Sequence, residues 1–136
     1  MSAPPRFLCD EMLGRLCRYL RAAGYDTLFT NNGYPDRDLL RQSREEGRIF
    51  LTQDQLIREH KAAQGIAFIL PQGNVDQLAI LLGTHFGLDW LSRAFSRCLE
   101  DNTLLLDADA EALQRVPLDA RRPDEPLRRC PECGRV

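Results

Sequence analysis

Lysine is almost absent from this 136-residue chain: Lys61 stands alone against 17 arginines. So lopsided a ratio reflects genome composition and by itself assigns no ligand, although arginine suits bidentate contact with phosphate. Excess positive charge is missing too. A formal charge of −2 excludes a chain that coats nucleic acid by bulk electrostatics, so any nucleic acid must be gripped by a local patch. No apolar run approaches the roughly 18 residues of a membrane span, and the opening MSAPPRFLCDEML lacks an apolar core of secretory length. We therefore expect a soluble, cytoplasmic protein with no membrane partner. Histidines are two, His60 and His85, without spacing to each other that suggests a metal or a nucleophile. Cysteines number five, an odd count that argues against a fully paired disulfide framework. Cys9 and Cys17 fall inside apolar patterns, where cysteine acts as a small buried hydrophobe. Cys98, Cys130 and Cys133 cluster late, which favours a metal in a reducing compartment.

What is present is enough for one ordinary core: 43% of the residues are apolar, sufficient for a single domain plus a small appendage stabilised some other way. Short apolar runs at 6–9, 27–29, 48–52 and 66–70 predict buried strands. Between them, helical spacing predicts helices over 12–23, 36–46, 54–63 and 75–86, with Gly24 and Gly47 as stops. The loop 31–35 is rich in turn residues. Strands alternating with helices imply parallel βαβ units, a sheet covered on both faces, and hence an α/β fold. Composition changes near Trp90. We place a first domain at 1–92 and a tail at 93–136, with a strand over 104–106 and a short helix over 110–115.

In an open parallel sheet, ligands gather at the carboxyl ends of the strands. Asp10 and Asp54 fall at two such ends, and Asp36 and Asp38 lie on the first turn of a helix that begins at the same edge. Two carboxylates about 4 Å apart repel by roughly 4 kcal/mol at an effective dielectric of 20. A raised pKa, an arginine or a cation must relieve that repulsion. Hard oxygen ligands suit Mg²⁺ or Mn²⁺, and such ions can activate water for in-line attack on a phosphodiester. Asp10, Asp36, Asp38 and Asp54 are the expected catalytic set, with Asp10, Asp54 and Asp38 as metal ligands. Asp36 equally suits a helix N-cap, Glu11 a plain first-turn acid, and Thr52 can orient Asp54 through its hydroxyl.

Arg15, Arg18 and Arg21 recur every three residues opposite the leucines of the first helix. They offer either a phosphate-binding stripe or a solvated polar face. Tyr19 and Tyr25 suit core packing better than base stacking. Cys130-Pro131-Glu132-Cys133-Gly134 is a metal knuckle, whose tight turn aims backbone N–H groups at both sulfurs. Its upstream partner is Cys98-Leu99-Glu100-Asp101, with aspartate where a second cysteine would stand. Carboxylate oxygen ligates zinc, so Cys98, Asp101, Cys130 and Cys133 form a candidate structural Zn²⁺ site. The chain ends three residues after Cys133, and we expect a truncated ribbon.

Taken together, FLCDEMLGRLCRYLRAAGYDT, PDRDLLRQSREEGRIFLTQD, and FGLDWLSRAFSRCLEDN followed by RRCPECGRV resemble the Mut-seven C-terminal RNase domain family. That resemblance implies a PIN-like, Rossmann-like sheet followed by a zinc ribbon. It also implies acidic residues at Asp10, at Asp36 or Asp38, and at Asp54 holding Mg²⁺ or Mn²⁺ for RNA cleavage, and ribbon ligands at Cys98, Cys130 and Cys133. Arg18 and Arg21 fall on basic positions of the same motif. Two departures stand out: Asp101 replaces the second ribbon cysteine, and no aromatic, glycine-containing strand follows Cys133. The alternative is a non-catalytic RNA-binding or protein-interaction module on the same scaffold. Self-association of the chain is compatible with either. A phosphoacceptor receiver domain would need a lysine after its last strand, and Lys61 precedes the fourth. A haloacid-dehalogenase-like phosphatase would need Asp-x-Asp after the first, where Asp10 is followed by Glu11-Met12.

Overall fold

Strands only three or four residues long hold the centre of the molecule because nearly every side chain on them is apolar. The computed structural model describes residues 4–30, 35–117 and 127–135, so most of the loop expected at 31–35 lies outside it. Strands β1 (Phe7–Cys9), β2 (Thr27–Phe29), β3 (Ile49–Thr52) and β4 (Ala67–Ile69) form one parallel sheet in the order β2-β1-β3-β4. In register, Phe7 lies beside both Thr27 and Ile49, and Thr52 beside Ile69. The strand order reverses between β1 and β3. In open α/β sheets this switch point opens a crevice at the carboxyl ends of the strands.

Successive strand residues point to opposite faces, and each face has its own core. Phe7, Cys9 and Leu51 pack under helices α1 (Gly14–Ala22) and α3 (Val75–Phe86), through Leu16, Cys17, Leu20, Leu78 and Leu82. Leu8 and Phe50 pack under helix α2 (Asp36–Glu46) and the turns that follow β3, through Leu39, Leu40, Ile57 and Ala63. Full burial of one such leucine contributes about 1.5–3 kcal/mol. Cys9 and Cys17 are the small buried hydrophobes expected of them.

Local chemistry sets the ends of the helices. Helix α3 begins with a reciprocal capping box between Asn74 and Gln77. The chain leaves α1 through Gly24 at φ +92°, where a Cβ would come within 2.3 Å of the Arg93 carbonyl oxygen, so only glycine fits. The first helix is preceded by a 3₁₀ turn over Glu11–Leu13 rather than starting at Met12 as one α-helix.

The helix expected over 54–63 is instead two 3₁₀ turns, Gln55–Glu59 and Lys61–Ala63, split by extended His60. Ile57 is the one buried residue of the first turn and Leu56 is 66% exposed. Without apolar partners three or four residues on, no face exists to bury.

In the tail, β5 (Leu106–Asp107) pairs antiparallel with β6 (Arg128–Arg129), and α4 spans Ala110–Leu113. Leu104, expected in the strand, makes only an isolated bridge with Arg97. Among the described residues, no helix is long and apolar enough to cross a membrane. The architecture is the expected PIN-like α/β sheet covered on both faces, with a small appendage that brings cysteines together.

Candidate active site and metal centre

At the carboxyl edge of the sheet, Asp10, Asp36 and Asp54 line one cavity of about 480 Å³, together with Glu11, Met12, Thr30 and Leu39. Asp10 follows β1, and its backbone N–H reaches the Leu51 carbonyl. One of its oxygens caps the 3₁₀ turn through Met12 N at 3.1 Å, and the other accepts from the Thr52 hydroxyl at 2.6 Å. Thr52 Oγ1 also accepts from the backbone N–H of Asp54 at 3.1 Å. One buried threonine thus ties both acidic stretches together. It touches Asp54 through its backbone and Asp10 through its carboxylate.

Asp54 caps the next turn through Leu56 N at 2.9 Å and stands exposed at the cavity rim. Burial pushes the Asp10 carboxyl up, against the lowering hydrogen bonds from Thr52 and Met12, and the neighbouring charges of Asp36 and Glu11 push it the same way. Glu11 therefore belongs to the same cavity.

Asp36 and Asp38 differ from expectation in a way that helix geometry explains. The N-cap of α2 is Pro35 with no side-chain capping bond, so Asp36 is not the cap and faces the cavity instead. Asp38 lies about 200° further round the helix and pairs with Arg41 at 3.1 Å. Among the described residues, no basic side chain pairs with Asp10, Asp36 or Asp54. Among the described residues, no three of the acidic groups around this cavity bring ligand atoms within 4.8 Å of one another; the group that does lies in the tail. The donor set still fits a hard cation. It is all oxygen, and among the described residues its charge is uncompensated by arginine.

The arginine stripe splits. Arg15 and Arg18 are exposed, the latter paired with Glu100 at 3.2 Å. Arg21 is only 7% exposed and donates to the carbonyls of Thr27 and Leu99, both at 2.9 Å. It clamps α1 to β2 and the tail, so it is not part of an open phosphate-facing row. Tyr25 is buried, and Tyr19 reaches Asp76. The His85 ring packs on Phe68 and Phe86.

The tail cluster is Cys98, Asp101, Cys130 and Cys133. Its two halves repeat one backbone design. Asn102 N bonds the Cys98 carbonyl and Gly134 N the Cys130 carbonyl, each at 2.9 Å. Cys98 N reaches Thr103 O at 2.8 Å and Cys130 N reaches Arg135 O at 2.9 Å. Both turns close on a left-handed residue, Asn102 at φ 71° and Gly134 at φ 78°. Asp101 thus occupies the place that Cys133 holds in the second turn.

Sγ of Cys98 lies 3.7 Å from that of Cys133, and Cys130 Sγ lies 3.4 Å from both Asp101 oxygens. The Thr103 backbone N–H holds the Asp101 carboxyl down at about 2, while burial pushes the Cys98 thiol up to about 11. Such a three-sulfur, one-oxygen group can hold a metal such as zinc, whose binding would displace the thiol protons.

Sequence reasoning passed over Thr30. Its signal was available: it directly follows β2, at the same sheet edge as Asp10 and Asp54.

The chain matches the model of the Mut7-C RNAse domain over residues 5–136. Over 60 residues it is 40% identical to the human protein described as exonuclease mut-7 homolog, a stretch covering 44% of this chain and 7% of that protein. The chain therefore corresponds to a small part of that relative's length. No solved structure matches it significantly. With nearly its whole length matched, from the acidic cavity to the second knuckle, this chain belongs to the Mut7-C RNAse domain family.

Proposed function

We propose that the chain is a metal-dependent ribonuclease whose 1–92 region cleaves RNA phosphodiester bonds at the acidic cavity, while 93–136 is a zinc-stabilised appendage. Family membership points to a nuclease-like protein. The observation that carries the finer reading is that Asp10, Asp36 and Asp54, from three remote stretches, line one cavity at the strand switch point. Asp10, Asp36 and Asp54 would hold Mg²⁺ or Mn²⁺; of the sequence-based ligand set, Asp38 is engaged with Arg41 instead. A divalent ion bound there supplies an activated water and neutralises charge on phosphorus.

The chain's own residues do the rest. Met12 N and the Thr52 hydroxyl fix the Asp10 carboxylate, and Leu56 N fixes that of Asp54. Met12 borders both the acidic cavity and a neighbouring one of about 500 Å³. Arg15 borders that second cavity and a third of about 570 Å³, which Arg18 also lines. An RNA backbone laid along this path would meet Arg18 and Arg15 before the carboxylates. A cytoplasmic location belongs to the same reading.

Two observations favour the alternative of a non-catalytic RNA-binding or protein-interaction module: among the described residues no three of the cavity's acidic groups gather within 4.8 Å of one another, and Asp54 is exposed. Incubation of purified protein with labelled single-stranded RNA and Mn²⁺ separates the two. The ribonuclease cuts, and Asp54→Asn, which preserves the capping bond, does not. If wild type and Asp54→Asn bind RNA equally and neither cuts, the module reading stands.

A further inference from the structure

Among the described residues, two that are not glycine have left-handed backbone: Phe95 at φ 60° and Asn102 at φ 71°. Asparagine tolerates that conformation, whereas a bulky aromatic residue adopts it only where its surroundings impose it. Here the Phe95 N–H donates to the Ala22 carbonyl at 2.6 Å, and the Phe95 carbonyl accepts from Arg128 Nη1 at 3.3 Å. The strain withdraws nothing from water, because Phe95 is 70% exposed. Core packing therefore does not account for an aromatic ring at this position.

Phe95 lines a cavity of about 270 Å³ with Arg97, Arg128 and Arg135, beside the cysteine cluster. Among the described residues, none of these three arginines has a carboxylate partner, and Glu100, the one acid of the lining, is paired with Arg18. The site thus combines an exposed aromatic ring with excess positive charge. An unpaired nucleotide offers the complement of both, a flat base and an anionic phosphate. An apolar protein surface would cover the ring but leave the arginines uncompensated. Leu99 and Glu100 also line the third cavity, with Arg15 and Arg18. The tail cavity is therefore the far end of the path that begins at Asp10.

We propose that this tail cavity docks an unpaired nucleotide of single-stranded RNA, its base stacked on the Phe95 ring and its phosphate beside Arg128 and Arg135. This rests on RNA as the substrate and adds a second point of grip, remote from the acidic cavity. No bond forms or breaks there.

Equilibrium binding of labelled single-stranded RNA, read by fluorescence anisotropy without added Mg²⁺ or Mn²⁺, tests it apart from cutting. Phe95→Ala should raise Kd about tenfold, and Phe95→Tyr should stay within about threefold of wild type. Leu91 serves as control, being 83% exposed on the same stretch but outside the cavity lining, and Leu91→Ala should bind like wild type. A duplex of the same sequence keeps its bases stacked on one another, so Phe95→Ala should change its Kd by less than about twofold. Phe95→Gly should lose single-strand affinity as Phe95→Ala does, yet melt at or above wild type, because glycine adopts this backbone freely.

Unchanged single-strand affinity in Phe95→Ala overturns the proposal and leaves the ribonuclease reading intact. If that variant also turns a wild-type dimer into a monomer in sedimentation, the ring is a contact between copies instead. An equal loss for duplex and single strand overturns stacking, and a melting temperature several degrees lower in Phe95→Gly marks the ring as structural. If wild type binds no RNA, this proposal and the ribonuclease reading fall together.

Discussion

Asp10 is half withdrawn from water, carries two hydrogen bonds, and has no cationic partner among the described residues. Its folded pKa lies above the ordinary 3.8, chiefly through burial. Between 3.8 and that raised value the native state binds more protons than the unfolded chain, so this group's contribution to stability declines as pH rises through the window. In metal-free buffer Asp10→Asn should therefore melt at or above wild type near neutral pH. The advantage should vanish below about pH 3.8, where the carboxyl is protonated in both states. Thermal melts across pH check this, and an Asn variant that melts several degrees lower at neutral pH would mark Asp10 as a structural residue.

Single residues were also where sequence reasoning reached its limits. Asp10 and Asp54 could be placed because strand ends are legible from apolar runs. Choosing between Asp36 and Asp38 needs the rotational setting of α2 against the sheet, which depends on packing rather than on spacing. Arg21 looked solvent-facing by helical period. Its partner, the Leu99 carbonyl, lies 78 residues away, and nothing in the local pattern encodes it.

At the level of elements, the legible parts were those with strong local signals. Helix α2 and helix α3 have the expected bounds because a left-handed glycine ends each, Gly47 and Gly87, and Asn74 and Gln77 start the second. The stretch after Asp54 misled because its composition suits a helix but its apolar residues share no face.

The knuckles were legible from CxxC spacing alone, including the aspartate in the fourth position. Structural zinc supplies on the order of 10 kcal/mol in small peptides, ample for a tail whose strands are two residues long. Elemental analysis of freshly purified, reduced protein should find about one zinc per chain, which Asp101→Cys keeps and Asp101→Ala weakens or loses. A metal content near zero in wild type would remove the site.

Across the whole molecule, the tail is not a loose attachment. Asn102, which closes the first knuckle, accepts from Thr27 N at 2.9 Å and donates to Asp26 at 2.7 Å, and Asp26 is paired with buried Arg48 at 2.7 Å. Arg97 reaches the Gly24 carbonyl, and Phe95 N the Ala22 carbonyl. The cysteine–aspartate cluster is thus joined through Asn102 to the edge strand β2, directly upstream of Thr30. The sequence marked a compositional change near Trp90, but not this bonding, because each contact between the tail and the first part of the chain joins residues more than 70 positions apart.

The ribonuclease reading requires a divalent ion in the acidic cavity. Crystals soaked in Mn²⁺ and measured for anomalous scattering test it most directly. A manganese peak should lie between Asp10, Asp36 and Asp54, with their carboxylate oxygens drawn in to coordinate it, and no such peak should form in Asp10→Asn. Carboxylates that stay apart around an empty cavity at saturating Mn²⁺ would contradict it.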